Sequence, residues 1–274
     1  MLDSLAFAKR VSLLRKGKKY TQEQLGKILG ITPQAVSRWE QGSALPDIAL
    51  LPELAETLSV TTDYLLKGKD TDEFKSPYDA QYEQQEYYWG IEPSALARQT
   101  ARLWKRETIG RVLDIGSGEG RDAVYFAKQG FSVDALEISA PGIEKIKRYS
   151  QDSHCSVNAI HADMLNYEMI ADYDIVYSSG TLQFLPVERR KYYFQQYKKH
   201  TRSGGIHAHL VFVEKPFVKT APDWEPEEDF YQSGDLAAFY ADWEILAYDE
   251  EIIDCNSSGV PHQHVICSVI ARKP

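Results

Sequence analysis

Apolar residues at Leu5, Ala8, Val11 and Leu14 recur at helical spacing and predict a first helix that ends near Gly17. Thr21 stands three residues before Gln24, a capping-box arrangement that opens a second helix through Leu25 and Ile28. Gly30 permits a turn, and Thr32 as N-cap with Pro33 at the first helical position starts a third. In that helix Val36 and Trp39 fall on one side, while Gln34, Ser37 and Arg38 fall on the other. Beyond Gly68 the sequence turns polar and loses its period, which predicts a linker over 69–80. The pattern then changes. Apolar runs at 111–115, 131–136, 157–162, 173–178 and 205–213 alternate with helical stretches, as parallel strands do, and two more at 243–248 and 263–271 are joined by a hairpin-like stretch. The predicted organisation is an all-α bundle at 1–68, a linker at 69–80 and an α/β, Rossmann-like domain at 81–274 with a mainly parallel seven-stranded sheet.

Composition narrows this picture. A length of 274 residues, with 43% hydrophobic and 26% charged side chains, suits two globular domains. No apolar run approaches the roughly 20 residues that span a bilayer, and the N-terminus lacks a signal-peptide core, so a cytoplasmic protein with no membrane partner is expected. Cys155, Cys255 and Cys267 show no paired spacing, so neither a disulfide framework nor a metal site is expected. The net charge of −9 is unevenly placed: residues 1–69 carry ten basic and seven acidic side chains, and the remainder 21 and 33. The acidic part should repel nucleic acid, whereas the first part need not.

The chemistry concentrates where the first strand ends, at Asp114-Ile115-Gly116-Ser117-Gly118-Glu119-Gly120. Alternating glycines between a strand and a helix let the backbone turn sharply and let a ligand approach without a Cβ in the way. The spacing after Asp114 is Gly-x-Gly-x-Gly rather than the Gly-x-Gly-x-x-Gly of dinucleotide-binding folds. A second acid, Glu137, ends the next strand 23 residues on, where doubly wound folds place a carboxylate for the ribose hydroxyls; Asp163 ends the third. Any one of these acids alone reads better as a cap or a solvated loop residue. Three in order form a specific constellation. It resembles the class I S-adenosylmethionine methyltransferases. The resemblance implies S-adenosyl-L-methionine as cofactor, with Asp114, Gly116, Ser117, Gly118 and Gly120 around its methionine end. Glu137 with Ile138 would take the ribose, Asp163 with Met164 would flank the adenine, and Ser178 ends the fourth strand nearby.

Residues 5–68 are similar to the Cro/repressor-type (XRE) helix-turn-helix family, in the helices already described and in the later runs Leu50-Leu51-Pro52-Glu53-Leu54-Ala55 and Val60 to Gly68. The resemblance implies that Gln22 touches phosphate and that Pro33, Gln34, Ser37 and Arg38 face the bases of double-stranded DNA, with residues 21–40 as the interface. Gln reads adenine and Arg reads guanine bidentately in the major groove. Repressors of this type bind as dimers, so a homodimer is an open expectation; a helical bundle for protein contacts is the alternative.

DNA is not the expected methyl acceptor. After the fourth strand stands Ser178-Ser179-Gly180-Thr181-Leu182-Gln183-Phe184-Leu185-Pro186, without the Asn/Asp-Pro-Pro-Tyr/Phe or Pro-Cys motifs of DNA methyltransferases. A narrower likeness covers residues 110–274. Tyr240-Ala241-Asp242-Trp243-Glu244, Tyr248-Asp249-Glu250-Glu251, the ending Val269-Ile270-Ala271-Arg272-Lys273-Pro274 and the approach from Glu225-Pro226-Glu227 to Leu236 resemble the tellurite-resistance methyltransferases. This implies transfer of methyl to a small acceptor, a tellurite-like oxyanion or another soft nucleophile. The stretch Cys255-Asn256-Ser257-Ser258-Gly259-Val260-Pro261 lacks the Arg expected there, although His262 and His264 follow.

Candidates for the acceptor pocket are Tyr88, Trp89, Phe184, His262 and His264, the aromatics serving equally well as ordinary packing; no catalytic residue is assigned. One metal site shared by His207, His209, His262 and His264 is not expected, because the two pairs fall at opposite strand ends. Two function classes stay open: an active methyltransferase fused to a DNA-binding domain, and a transcriptional regulator whose methyltransferase-like domain only senses cofactor or ligand.

Overall fold

The computed structural model describes residues 4–58, 60–67, 76–104, 109–219, 221–222, 228–256 and 259–274. The chain divides into two compact units, Met1–Phe74 and Lys75–Pro274. Gly68, residues 69–75 of the expected linker, Glu225 to Glu227, and Ser257 with Ser258 lie outside the described residues.

In the first unit, α1 (Ser4–Gly17), α2 (Gln22–Ile28), α3 (Pro33–Glu40), α4 (Leu51–Leu58) and α5 (Thr62–Lys67) enclose Phe7, Val11, Leu25, Val36, Leu54 and Leu65. The capping box is present: the Gln24 amide donates to Thr21 Oγ1 at 3.0 Å, and the Thr21 amide donates to Gln24 Oε1 at 2.7 Å. This relieves two of the amides a helix start leaves without partners. Thr32 caps α3 in the same way, accepting the Ala35 amide, with Pro33 following it. The first and third helices are tied by Arg15, whose guanidinium donates to both oxygens of Glu40 at 2.5 and 3.0 Å.

The second unit begins with α6 (Asp79–Tyr82) and α7 (Ala95–Leu103), followed by β1 (Arg111–Ile115), α8 (Arg121–Lys128), β2 (Ser132–Glu137), α9 (Ala140–Asp152) and β3 (Asn158–His161). Then come β4 (Tyr173–Ser179), α10 (Arg190–Lys199), β5 (Thr201–Val213), α11 (Asp235–Ala238), β6 (Glu244–Cys255) and β7 (His262–Arg272). The strands form one seven-stranded sheet in the order β3-β2-β1-β4-β5-β7-β6. Only β7 runs against the others, paired antiparallel to β5 on one side and β6 on the other. The order reverses between β1 and β4, and in such sheets the crevice beyond the carboxyl ends of these strands is the ligand site. Separate clusters of buried side chains cover the sheet, one around Leu113, Val176, Phe194 and Tyr240 and another around Val112, Phe126, Ile146 and Ile175.

Two expectations need correction here. Residues 76–80, expected in the linker, belong to the second unit, where Tyr78 stacks on Tyr82 at 5.9 Å; an aromatic face gives this polar stretch an anchor. Strand β5 starts at Thr201 rather than Gly205, so His207 and His209 lie mid-strand and fully buried, not at its early end. His207 bonds Tyr240 and Thr201, and His209 bonds Ser178, so both are parts of a hydrogen-bonded core.

Candidate functional site

A cavity of about 770 Å³ opens over the carboxyl ends of β1, β2 and β4. Its floor is the glycine loop. Gly116 and Ser117 donate their amides to Leu136 O at 2.8 and 3.0 Å, which pins the loop to the end of β2. The Gly118 amide donates to Glu137 Oε2 at 2.7 Å, and the Ser139 amide to Oε1 at 2.8 Å, so the carboxylate is fixed from both sides. Gly116 and Gly118 hold φ of 69° and 56°, in the left-handed region where a Cβ is costly. Space is as restrictive as torsion: a Cβ on Gly116 would overlap the Thr181 side chain, and one on Gly118 would come within 3.0 Å of the Tyr82 hydroxyl.

Asp114, Asp122, Glu137 and Asp163 all line the cavity. Burial, with the charges of Asp122 and Glu137, pushes the Asp114 carboxyl well above the usual range. Burial likewise raises Glu137 to about 7, against the opposing pull of its amide donors. Glu119, beneath the loop, is neutralised by Lys145, whose Nζ donates to Oε1 at 2.6 Å. Arg121 pairs with Asp122 at 3.4 Å, which leaves Asp114, Glu137 and Asp163 as the carboxyl groups of the lining without an ion pair among the described residues, acceptors for a ligand that brings hydroxyl, amine or cationic groups. S-adenosylmethionine, with its sulfonium and ammonium groups, fits this donor set, and the glycine cradle leaves room beside it.

Asp163 accepts the Leu165 amide and the Asn166 side chain, each at 2.8 Å, which orients it at the rim with Met164 and Ile138. At the other end the wall is apolar: Phe184, Leu210, Phe212, Ile253 and Ile266. Tyr78, Tyr82 and Trp89 close one flank, the Trp89 indole N–H donating to the Tyr82 hydroxyl at 2.9 Å.

Of the expected cofactor residues, Asp114, Gly116, Ser117, Gly118, Glu137, Ile138, Asp163 and Met164 come together around the cavity. Two do not. Ser178 is fully buried with its hydroxyl bonded to His209 Nδ1 at 2.9 Å, because strand alternation turns it away while Tyr177 and Ser179 face the cavity. Gly120 is the N-cap of α8 and packs on Ile146 instead. Among the acceptor candidates, Trp89 and Phe184 line the cavity, whereas Tyr88 packs against Trp89 and Tyr78 outside the wall. His262 and His264 stand beside the cavity rather than in its wall, in a group with Cys255 whose ligand atoms lie within 4.8 Å of one another. Tyr82, Asp122, Tyr177, Thr181 and Phe212 were missed. Asp122 had a legible signal, as an acid in the first turn after the glycine loop, but Tyr82 and Phe212 reach the site only through tertiary packing.

In the first unit, Gln34 and Arg38 project from α3 as exposed side chains, with Pro33 and Ser37 half-buried on the same helix. Gln22 donates its side-chain amide to Glu40 Oε2 at 2.8 Å, which holds it at the start of α2.

No described helix is long and apolar enough to cross a membrane. Residues 98–259 match the family described as tellurite resistance protein TehB, and residues 11–65 match the helix-turn-helix family. The probable S-adenosyl-L-methionine-dependent methyltransferase TehB of Haemophilus influenzae is 24% identical over 166 residues, which are 60% of this chain and 57% of that protein. The prophage-derived uncharacterized HTH-type transcriptional regulator YonR of Bacillus subtilis is 42% identical over 62 residues, 23% of this chain and 57% of the regulator. The crystal structure of TehB from Haemophilus influenzae superposes with a TM-score of 0.59 at 20% identity, over 72% of this chain and 66% of that one, which speaks to fold alone. The chain thus spans 57% of the length of each of these two curated relatives. The tellurite-resistance family profile covers more than half of the chain. The chain belongs to the tellurite resistance protein TehB family, matched over residues 98–259, with a helix-turn-helix domain of the Cro/repressor (XRE) type ahead of it.

Proposed function

We propose that the second unit transfers the methyl group of S-adenosylmethionine to a small soft nucleophile, a tellurite-like oxyanion or a thiol, and that residues 21–40 bind double-stranded DNA. The observation that carries the enzymatic half is the polarity of the cavity. Carboxylates of Asp114, Glu137 and Asp163 and the glycine loop occupy one end, and the apolar wall of Phe184, Phe212, Ile253 and Ile266 the other. When bound, the cofactor supplies an electrophilic methyl group on a sulfonium. Glu137 would accept the ribose hydroxyls, Asp163 would meet the adenine amine, and Asp114 would balance the positive charge near the loop. The apolar wall excludes water from the methyl and leaves the nucleophile poorly solvated, and alignment then supplies much of the rate. A cavity of about 770 Å³ is within the range of a small-molecule site, so an acceptor sharing it with the cofactor must itself be small.

The test is S-adenosylhomocysteine formation by the purified chain with tellurite, selenite and small thiols against a blank without acceptor. Product above the blank with any of them supports the enzyme. Tight cofactor binding with no product from any acceptor would support the regulator that only senses its ligand. Absence of cofactor binding would sink the enzyme and the cofactor sensor alike.

A further inference from the structure

We propose that Cys255, His262 and His264 form a binding site for one thiophilic divalent ion of the zinc class, at the loop end of the β6–β7 hairpin. The register builds it. Cys255 pairs with His262 and Ile253 pairs with His264 across the two strands, so alternation puts all four side chains on one face of the sheet. That face carries the cavity, because Ile253 and Ile266 line it. The ligand atoms of Cys255, His262 and His264 lie within 4.8 Å of one another, close to the roughly 3.3–3.7 Å between donors around a tetrahedral zinc. Side-chain rotation covers the difference.

The hydrogen bonds set the histidines as ligands. His262 Nδ1 lies 2.7 Å from Val260 O, and a carbonyl only accepts, so Nδ1 carries the proton and Nε2 presents a lone pair. A backbone carbonyl on the far ring nitrogen is the usual device that orients a metal-bound histidine. His264 Nε2 faces that lone pair at 2.9 Å, so without metal a proton bridges the two rings. An ion taking its place would sit between both nitrogens; the bridging proton passes to His264 Nδ1, so both rings bind as neutral imidazoles, and only the Cys255 thiol proton is released to solvent. The His264 ring is fixed by Phe212, at 4.7 Å between centroids, and Phe212 also lines the cavity. Three protein ligands leave a tetrahedral ion one position for an outside donor.

This site goes beyond methyl transfer and is tested without it. The reduced full-length chain is titrated with Co²⁺ and then displaced with Zn²⁺, while absorbance is followed. One equivalent of cobalt should give the intense visible bands of a tetrahedral ion and a thiolate-to-cobalt charge-transfer band. Cys255→Ser should abolish the charge-transfer band, and His264→Ala should weaken zinc affinity by about tenfold or more. Cys155→Ser, at the other half-buried thiol, should change neither. Circular dichroism and S-adenosylhomocysteine binding of each variant report whether the fold survives. A weak octahedral spectrum in the wild-type chain would overturn the proposal, as would a thiolate band that persists in Cys255→Ser.

Discussion

The Gly118 amide donates to the Glu137 carboxylate at 2.7 Å, so the loop after β1 and the end of β2 are held as one object. Because Glu137 is buried, its carboxyl is raised from 4.5 to about 7, which disfavours the ionised form by roughly 3 kcal/mol. A ribose donating hydroxyls needs the anion. Cofactor affinity should therefore rise with pH up to about 7 and level off above it, falling about tenfold per unit on the acid side. The folding consequence has the opposite sense: the folded chain binds this proton more tightly than the unfolded one, so stability declines as pH rises from about 4.5 to about 7. Calorimetry of S-adenosylhomocysteine binding across this window checks the first point, with Glu137→Gln as control. That variant should bind roughly 10- to 100-fold more weakly and lose the pH dependence. Equal affinity at both ends of the window would refute the role assigned to Glu137.

Gly116→Ala should disable the same loop by a different route. Its φ of 69° costs a Cβ about 1–2 kcal/mol, and the new methyl would overlap the Thr181 side chain, which itself donates to Gly116 O. Thr181→Ala removes two of the three clashing atoms and leaves the torsion untouched. The double variant should recover part of the lost cofactor affinity and no more. Full recovery would mean that torsion is unimportant; no recovery would mean that the overlap with Thr181 is.

These two positions show what could be read from residues alone. The glycine loop and the acids at 114, 137 and 163 are local chemistry placed by strand ends, and strand ends follow from apolar runs bounded by turn residues. Ser178 was misjudged because a strand's alternation fixes which neighbour faces the site, and a shift of one residue changes the answer. Tyr82 lay hidden in a polar stretch that has no period of its own, since its burial comes from packing against the loop. Cys255, His262 and His264 are uninformative until the hairpin register puts them opposite one another.

Lys145 and Glu119 form a buried ion pair, their side chains 6% and 1% exposed. Glu119 also accepts the Trp89 amide at 3.1 Å, so the pair joins the helix α9 to the flank of the cavity. Removing one partner leaves a buried charge alone. Lys145→Met should destabilise the second unit by about 3–5 kcal/mol, and adding Glu119→Gln should restore a good part of it. Urea unfolding of the wild type and the single and double variants measures the coupling. Additive effects would show that the pair does not act as a unit.

His209 bears on acid stability. Burial lowers it from 6.5 to about 3, so the folded chain keeps the ring neutral while the unfolded chain takes up a proton below about 6.5. Its contribution is full above that pH and is lost as pH falls, at about 1.4 kcal/mol per unit. Other buried groups act in the opposite sense, Glu137 among them, so the comparison must be with a variant. In His209→Asn the amide can keep the bond to Ser178 without titrating. The wild type should lose its stability advantage over this variant steadily between about pH 6.5 and about pH 5. A constant difference would contradict the neutral buried imidazole.

The exposed side chains of α3 decide whether the first unit reads a sequence. Gln34 and Arg38 are exposed on a helix whose other side buries Val36 and Trp39, and both are residue types that bond base edges. Phosphate contacts alone would give binding that depends steeply on salt and little on sequence. Duplexes selected from a random pool by the full-length chain should therefore converge on a site. Arg38→Ala should weaken binding to that site by about 1–3 kcal/mol and relax preference at one base position. Its affinity for unrelated DNA should change far less, with the salt dependence largely kept. If Arg38→Ala lowered specific and non-specific affinity equally, Arg38 would be a phosphate contact and α3 would not be the reading helix. If selection returned no site and no DNA bound, the bundle would serve protein contacts instead.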